Sequence, residues 1–511
     1  MGFDINVGDF LTTRAYLNPE KEALYDVQAD QRFSYDEINR RANKSCAALQ
    51  SLGLKKGDRV ALLAYNGHEF LESFFGLAKA GLVLMPLNWR LTAQELSFIL
   101  QDGGARAIIF DAEFESVIEQ IWAQGEEGSA IEHWIRIGEG KADFTLAYED
   151  ILAEQDDAEP TDKAGADDNL FIMYTSGTTG LPKGVVHTHN TLLWAVLTFA
   201  NTADGHFSDR YLVMLPLFHV GALTPTIIGV YTGNSLVVPR NFDPERAWSL
   251  VQQERVTSSL AVPAMLRAML QVSGFEQYDW SSLRWIMSGA APLPVVTIHA
   301  YQELGIEIHQ IYGLTEVGGP ACLIGPDDAM RKIGSTGKAP FHTKVRVIGS
   351  DGAELPPGEA GELIVTGGHI MKEYWRRPEA TAQAIQDGWL LTGDLAVQDA
   401  EGFVTIQDRI KDMIISGGEN VYPAEIENVL LQHPRVADVA VIGQASEKWG
   451  ESPAAIVVRK VEALTADELL DHCSARLARY KLPKAVIFVA EIPRNPSGKI
   501  LKRILREQHP G

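Results

Sequence analysis

The stretch Tyr174 to Val185 reads Y-T-S-G-T-T-G-L-P-K-G-V, and its residue types suit one chemical task. Gly177, Gly180 and Gly184 open turn conformations closed to other residues, Thr175, Ser176, Thr178 and Thr179 line the turn with hydroxyls, and Lys183 adds a cation. Such a loop holds a polyphosphate. It is not a Walker A loop, because Gly180 is followed by L-P-K-G and no Ser or Thr follows a Gly-Lys pair. Further on, Ser288 to Leu293 reads S-G-A-A-P-L, where Gly289, Ala290 and Ala291 let a flat ring lie against backbone, with an aromatic face available at Tyr312. Tyr312 to Glu316 reads Y-G-L-T-E; Thr315 can bond a phosphate oxygen, and Glu316 fits a magnesium ligand because hard cations prefer oxygen donors. Two later segments complete the set, W-L-L-T-G-D ending at Asp394 and P-R-N-P-S-G-K-I-L-K containing Lys499 and Lys502.

These segments, in this order from about Phe33 to Lys502, resemble the adenylate-forming superfamily of acyl-CoA synthetases, aryl-CoA ligases, beetle luciferases and peptide-synthetase adenylation domains. The nearer likeness is to bacterial long-chain fatty acyl-CoA synthetases, through Lys372 to Thr381 (K-E-Y-W-R-R-P-E-A-T), Lys411 to Glu427 and Arg476 to Lys484. Aryl-CoA ligases share much of the same C-terminal sequence.

The resemblance implies roles for individual residues. The loop Thr175, Ser176, Gly177, Thr178, Thr179, Gly180 with Lys183 would hold the ATP phosphates. Gly289, Ala290 and Ala291 with Tyr312 would sandwich adenine, while Asp394 and Arg409 would meet the ribose. Lys499 would be the catalytic lysine, acting with Thr315, Glu316 and His219, and Glu316 would bind the metal. Lys502 reads as its surface-charged decoy. Lys411 would be the hinge, and Gly417, Gly418 and Glu419 would meet coenzyme A. The apolar helix residues Leu192 to Phe199, with Trp194 and Thr198, and the stretch Val317 to Pro320, with Gly318, are expected to line the acyl pocket.

The elements that must carry these residues follow from periodicity. A helix is expected over Ser34 to Leu52 behind a Ser34 cap, a strand over Asp58 to Tyr65, a helix over Glu69 to Ala80 and a strand over Val83 to Pro86. This alternation predicts layered α/β structure with parallel strands. Asn169 to Tyr174 reads as a strand from which the phosphate loop would leave the edge of a buried sheet. Gln155 to Asp168 reads as an acidic surface linker. Between about Lys332 and Gln407, short strands (Val345 to Ile348, Glu362 to Val365, Phe403 to Ile406) separated by Gly, Pro and Asp predict a small β-barrel-like subdomain. After Asp408 the expected elements are a helix over Pro423 to Gln432, a strand over Val436 to Ile442 and a helix over Ala466 to Arg479. With a boundary near Arg409 to Asp412, the resemblance implies a large N-terminal domain, 1–410, binding ATP and the acyl substrate, and a small mobile α+β C-terminal domain, 411–511.

Composition excludes other classes. The 511 residues exceed one core. Lys and Arg number 45 against 67 Asp and Glu, a net charge of −22, which argues against nucleic acid as partner. Cys46, Cys322 and Cys473 are widely spaced, as in neither a disulfide framework nor a zinc site. No apolar run approaches a membrane span, so the cytoplasm is the expected location. Membrane association has weak support, since Asn201 to Arg210 holds one arginine against two aspartates. A dimer is compatible with the sequence. The resemblance implies an ATP-dependent carboxylate:CoA ligase of fatty acid metabolism, using Mg2+ and coenzyme A with a medium- or long-chain fatty acid. An aryl or hydroxycinnamate CoA ligase, or an amide-forming ligase using the same adenylate, is the alternative.

Overall fold

The computed structural model of the protein describes residues 5–125, 130–161, 163–175, 181–291, 293–416, 419–446, 449–474, 476–494 and 500–510, apart from the side chains of Asn420 and Tyr480. Among them, short apolar runs form strands and amphipathic runs form helices, in alternation. Arg59–Leu63 (R-V-A-L-L) and Val83–Pro86 pair in parallel, as runs buried on both faces do. The helix Tyr35–Ser51 starts at a reciprocal cap: Ser34 Oγ accepts from the Glu37 amide at 3.2 Å and Glu37 Oε2 accepts from the Ser34 amide at 2.7 Å. The helix His68–Ala80 stops at Gly81, whose φ of 68° lets the chain turn out of the helix.

One eight-stranded sheet runs in the order Glu373–Tyr374, Lys183–Thr188, Asn169–Thr175, Val83–Pro86, Arg59–Leu63, Ala105–Asp111, His133–Ile137, Leu146–Ala147. A second runs Gly319–Leu323, Glu307–Leu314, Trp285–Ser288, Ser258–Ala261, Arg210–Leu212, Ser235–Val238, Glu22–Asp26, Gln31–Ser34. Helices fill the space between them: Leu62 and Phe171 of the first sheet and Val238 and Met287 of the second share one core with Phe70, Phe74 and Leu192. Alternate residues of each strand face outward, where Ile99 and Ile118 cover the first sheet and Trp248, Leu266 and Ile298 the second. The result is five layers, helix, sheet, helix, sheet, helix.

A five-stranded antiparallel sheet follows, built from Thr343–Ile348, Ala360–Gly367, Ile385–Gln386, Trp389–Gln398 and Val404–Arg409. The last sheet starts at Ile414 and centres on the long hairpin Val436–Ser446 and Gly450–Arg459, with its own core around Ile426, Val441 and Val457.

Several elements depart from the expectations. The antiparallel strands extend beyond their apolar stretches, since main-chain pairing such as Lys344 with Thr366 continues through polar residues. The helix expected to Arg479 ends at Ser474. The strand Asn169–Thr175 is internal to its sheet, not an edge strand, because Lys183–Thr188 and then Glu373–Tyr374 pair beyond it. The segment Gln155 to Asp168 is partly tied into the fold, as the Glu159 carboxylate receives the buried Lys79 ammonium at 3.0 Å.

Candidate active site

Thr175 and Lys183 are register partners at the ends of an antiparallel hairpin, so they form the two feet of the glycine-rich loop. Ser176, Gly177, Thr178, Thr179 and Gly180 lie outside the described residues. Lys183 projects its ammonium over the ring of Tyr374, 4.9 Å from the centroid.

The Y-G-L-T-E segment closes the strand Glu307–Leu314 and passes into a single 3-10 turn, Thr315–Val317. Gly313 is required there: a Cβ would stand 2.2 Å from the Gly319 carbonyl oxygen on the neighbouring strand. Four contacts hold the turn. His187 Nε2–H donates to the Thr315 carbonyl at 2.8 Å, which leaves Nδ1 facing the Thr191 hydroxyl at 3.1 Å. The Met371 amide donates to the Glu316 carbonyl at 2.8 Å, Thr224 Oγ1 donates to the Gly318 carbonyl at 2.7 Å, and the Tyr374 hydroxyl donates to Glu316 Oε1 at 2.7 Å. Burial lowers the His187 pKa to about 4, so the ring is neutral and its tautomer is fixed by the carbonyl. The other Glu316 oxygen takes no hydrogen bond from the described residues, which leaves it available to a hard cation.

Asp394 and Arg409 are ladder partners on adjacent strands, and Arg409 Nε lies 3.0 Å from Asp394 Oδ1. The Tyr312 hydroxyl donates to Asp394 Oδ2 at 2.6 Å. Each carboxylate oxygen can accept twice, so Asp394 retains capacity for two hydroxyls. Burial, then the Asp394 charge, raises the Tyr312 pKa well above its ordinary value and keeps it a donor.

A cavity of about 470 Å³ opens from Gly289, Ala290 and Thr315 and runs inward between Phe199, Met214, Thr224, Pro225, Leu260 and Pro320. His219 lines it from the N-terminus of the helix Val220–Thr232. Its Nε2 is buried without a hydrogen-bond partner, and burial, helped by Arg90, lowers its pKa to about 4. A neutral imidazole with an orphan nitrogen on a cavity wall is a contact point for a ligand. Ala290 has a φ of 68°, uncommon for a residue with a Cβ.

Of the stretches expected to line the acyl pocket, Phe199, Gly319 and Pro320 face this cavity, whereas Trp194, Thr198, Val317 and Gly318 do not. Thr198 is fully buried, one residue and roughly 100° around the helix from the cavity-facing Phe199. Trp194 packs edge-on to His342 at 5.0 Å and covers Gly368. Val317 belongs to a core with Val185, Val365 and Leu390, and Gly318 sits against the His187 ring. Ala291 and Tyr312 are also absent from the cavity wall. Ala291 lines instead a cleft of about 70 Å³ together with Ala290, Asn428, Asp438, Arg494 and Ile500.

Lys499 lies outside the described residues, as do Gly417 and Gly418. Its neighbour Ile500 is bridged to Arg494, so the two ends of that segment meet beside the Ala290–Ala291 turn. Lys411 occupies the 3-10 turn Ile410–Asp412, where one sheet ends and the next begins, and Glu419 is exposed on the strand Glu419–Val421. Lys502 is not a surface charge. Its side chain is 12 % exposed, with Nζ 2.9 Å from Glu427 Oε1 and 3.9 Å from Asp408 Oδ2. Burial acts to lower its pKa, but Glu427, Asp408 and Asp412 outweigh burial and raise it.

His187, Thr224, Tyr374 and the cavity wall around Pro225 and Leu260 escaped the sequence reading. Tyr374 had a signal, since it lies within K-E-Y-W-R-R-P-E-A-T; His187 had only its place in an apolar strand.

The model of the AMP-binding enzyme family matches residues 11–375, and that of the AMP-binding enzyme C-terminal domain matches residues 425–499. The long-chain-fatty-acid–CoA ligase FadD13 of Mycobacterium tuberculosis is 47% identical over 504 residues, covering 99% of this chain and 98% of the relative. Among solved structures, a Mycobacterium tuberculosis fatty acyl CoA synthetase aligns at 46% identity with a TM-score of 0.80, covering 99% of this chain and 98% of that one. The anthranilate CoA ligase AuaEII in complex with anthranoyl-AMP aligns at 29% identity with a TM-score of 0.93 over the same shares. The chain belongs to the AMP-binding enzyme family.

Proposed function

We propose that the protein joins a fatty acid to coenzyme A in two half-reactions driven by ATP. The carboxylate oxygen attacks the α-phosphorus of ATP and pyrophosphate leaves, giving an acyl adenylate. The CoA sulfur then attacks the acyl carbonyl, its proton is lost, and AMP leaves with the electron pair of the C–O bond. The first step exchanges a poor leaving group for a good one. The observation that carries this reading is the continuous cavity, polar where Thr315, Gly289 and His219 converge and apolar where Phe199, Met214, Leu260 and Pro320 close it. A carboxyl group at the polar end places its hydrocarbon tail in the apolar end.

Within this reading the chain mostly positions charge. Lys183 and the hydroxyls of the glycine-rich loop hold phosphates, Asp394 and Arg409 hold the ribose, and His219 Nε2 meets the carboxylate. Lys499 donates to the carboxylate and the α-phosphate as charge develops. Glu316 would hold Mg2+, which when bound neutralises charge on the departing pyrophosphate. Residues 411–511 form the mobile domain and turn about Lys411, so that Gly417, Gly418 and Glu419 reach the pantetheine in the second step. The overlay on the anthranilate ligase in complex with anthranoyl-AMP supports an arrangement able to hold an acyl adenylate.

An aryl acid is the second reading, favoured by that same overlay. The deciding experiment measures pyrophosphate release and thioester formation over fatty, aryl and hydroxycinnamic acids, with and without CoA. Medium- or long-chain fatty acids are expected to give the highest kcat/KM. A higher value for an aryl acid would replace the fatty-acid reading, and amide formation without thioester would replace the CoA reading.

A further inference from the structure

Tyr374 touches both charged groups that face the phosphate end of the site. It lies on the two-residue strand Glu373–Tyr374 and pairs with Val185, two residues along the strand from Lys183 and therefore on the same face. Its backbone is fixed on both sides, by the Tyr374 amide donating to Thr381 Oγ1 at 2.9 Å and the Trp375 amide donating to the Gly184 carbonyl at 2.7 Å. From this mount the ring sits under the Lys183 ammonium at 4.9 Å while the hydroxyl donates to Glu316 Oε1 at 2.7 Å. The same segment holds the Glu316 backbone, through the Met371 amide.

A lysine and a glutamate that share one neighbour ordinarily close into an ion pair. Among the described residues Lys183 has no carboxylate within ion-pair distance, and Tyr374 contacts both the lysine and Glu316. A cation–π contact and a charge-assisted hydrogen bond from phenol to carboxylate stand in place of an ion pair.

We propose that Tyr374 is a positioning residue for adenylation, a spacer that carries Lys183 on its ring and Glu316 on its hydroxyl and so keeps cation and carboxylate apart for a polyphosphate and its divalent cation. This rests on the reading of Lys183 and Glu316 as the phosphate and metal end of the site. The role differs from that of a ligand, because Tyr374 acts through the two charges.

Two substitutions separate its contacts: Tyr374→Phe keeps the ring and removes the hydroxyl, and Tyr374→Leu removes both. Mn2+ binding in the presence of ATP, without acid, is followed by electron paramagnetic resonance on the full chain, alongside kcat and KM for pyrophosphate release and thermal unfolding. Tyr374→Phe is expected to lower kcat about tenfold, the worth of a hydrogen bond to a charged group. It should also raise the Mn2+ midpoint severalfold and leave the KM for ATP within about twofold. Tyr374→Leu should add a rise in that KM of about threefold, the worth of a cation–π contact. Wild-type Mn2+ binding and kcat in Tyr374→Phe would overturn the proposal, as would parallel loss of both half-reactions with a lowered melting temperature. Glu316→Gln in the same titration separates the proposal from the reading beneath it. If Glu316→Gln shifts the Mn2+ midpoint and Tyr374→Phe does not, the spacer role alone falls. If Glu316→Gln leaves the midpoint unmoved, the metal reading falls and the spacer role with it.

Discussion

Lys499 and Lys502 stand three residues apart with the same charge, and the role proposed for the first and the surroundings of the second give them opposite kinds of importance. Lys499→Ala should slow pyrophosphate release about 10²-fold or more, as expected for one transition-state donor, while still passing a pre-made acyl adenylate to CoA. A normal rate of pyrophosphate release would remove Lys499 from the chemistry. Lys502→Ala should instead act on stability. Burial pulls the Glu427 carboxyl pKa up while Lys502 pulls it down, and Asp408 shares the same ammonium. Removing the lysine leaves both carboxylates enclosed without their cation, a loss of about 3–5 kcal/mol. Calorimetry should show a lowered melting temperature for Lys502→Ala, with Lys502→Arg closer to wild type; an unchanged transition would mean that the pair contributes nothing. The sequence could not distinguish these two lysines by burial, because Glu427 and Asp408 arrive from distant segments.

At the scale of elements, the local and periodic parts of the chain were legible and the convergent parts were not. The Ser34 cap, the strand Val83–Pro86 and the helix ending at Ala80 lie where local patterning put them, because their residues decide their own backbone. The cavity draws on segments spread from Asn66 to Pro320, and although the stretches holding Phe199 and Pro320 were legible as apolar lining, no local pattern states which of their residues turn toward it. Nor does periodicity show which strands add beyond Asn169–Thr175, since antiparallel partners come from Lys183 and from Glu373. Gly313 shows how an element passes its geometry to the site. Its strand shifts register against Gly319–Leu323 between Tyr312 and Gly313, and the backbone approach there excludes a Cβ. Gly313→Ala must push the two strands apart just before Thr315 and Glu316, at a cost of about 1–3 kcal/mol for overpacking. Pyrophosphate release should fall more than the thioester step from pre-made adenylate, because only the first step uses the displaced turn. Equal effects on both steps would show that the strand pair does not transmit to the site.

At the scale of the molecule, two half-reactions need the same adenylate carbonyl and phosphate to meet different groups, so the proposed mobile domain must take two arrangements. The arrangement in hand is held by contacts that bracket Lys411. Asp408, before the 3-10 turn, accepts from the Ala424 amide at 3.1 Å in the first turn of the helix Pro423–Leu431, a favourable place for a carboxylate. Arg267 lies 3.6 Å from Asp438 across the cleft. A proline at position 411 would fall in the first turn of the short helix Ile410–Asp412, where a missing amide proton and a φ near −65° are tolerated. Lys411→Pro fixes φ and stiffens the pivot against a second arrangement. Adenylation should persist in this variant and thioester formation should be lost, measured as pyrophosphate release with acid and ATP against CoA consumption from synthetic acyl adenylate. A thermal scan separates this from a folding defect, which would lower the transition and depress both rates together. Near-wild-type rates for both steps in a well-folded Lys411→Pro protein would place the pivot elsewhere, and loss of adenylation alone would mean that proline traps the other arrangement.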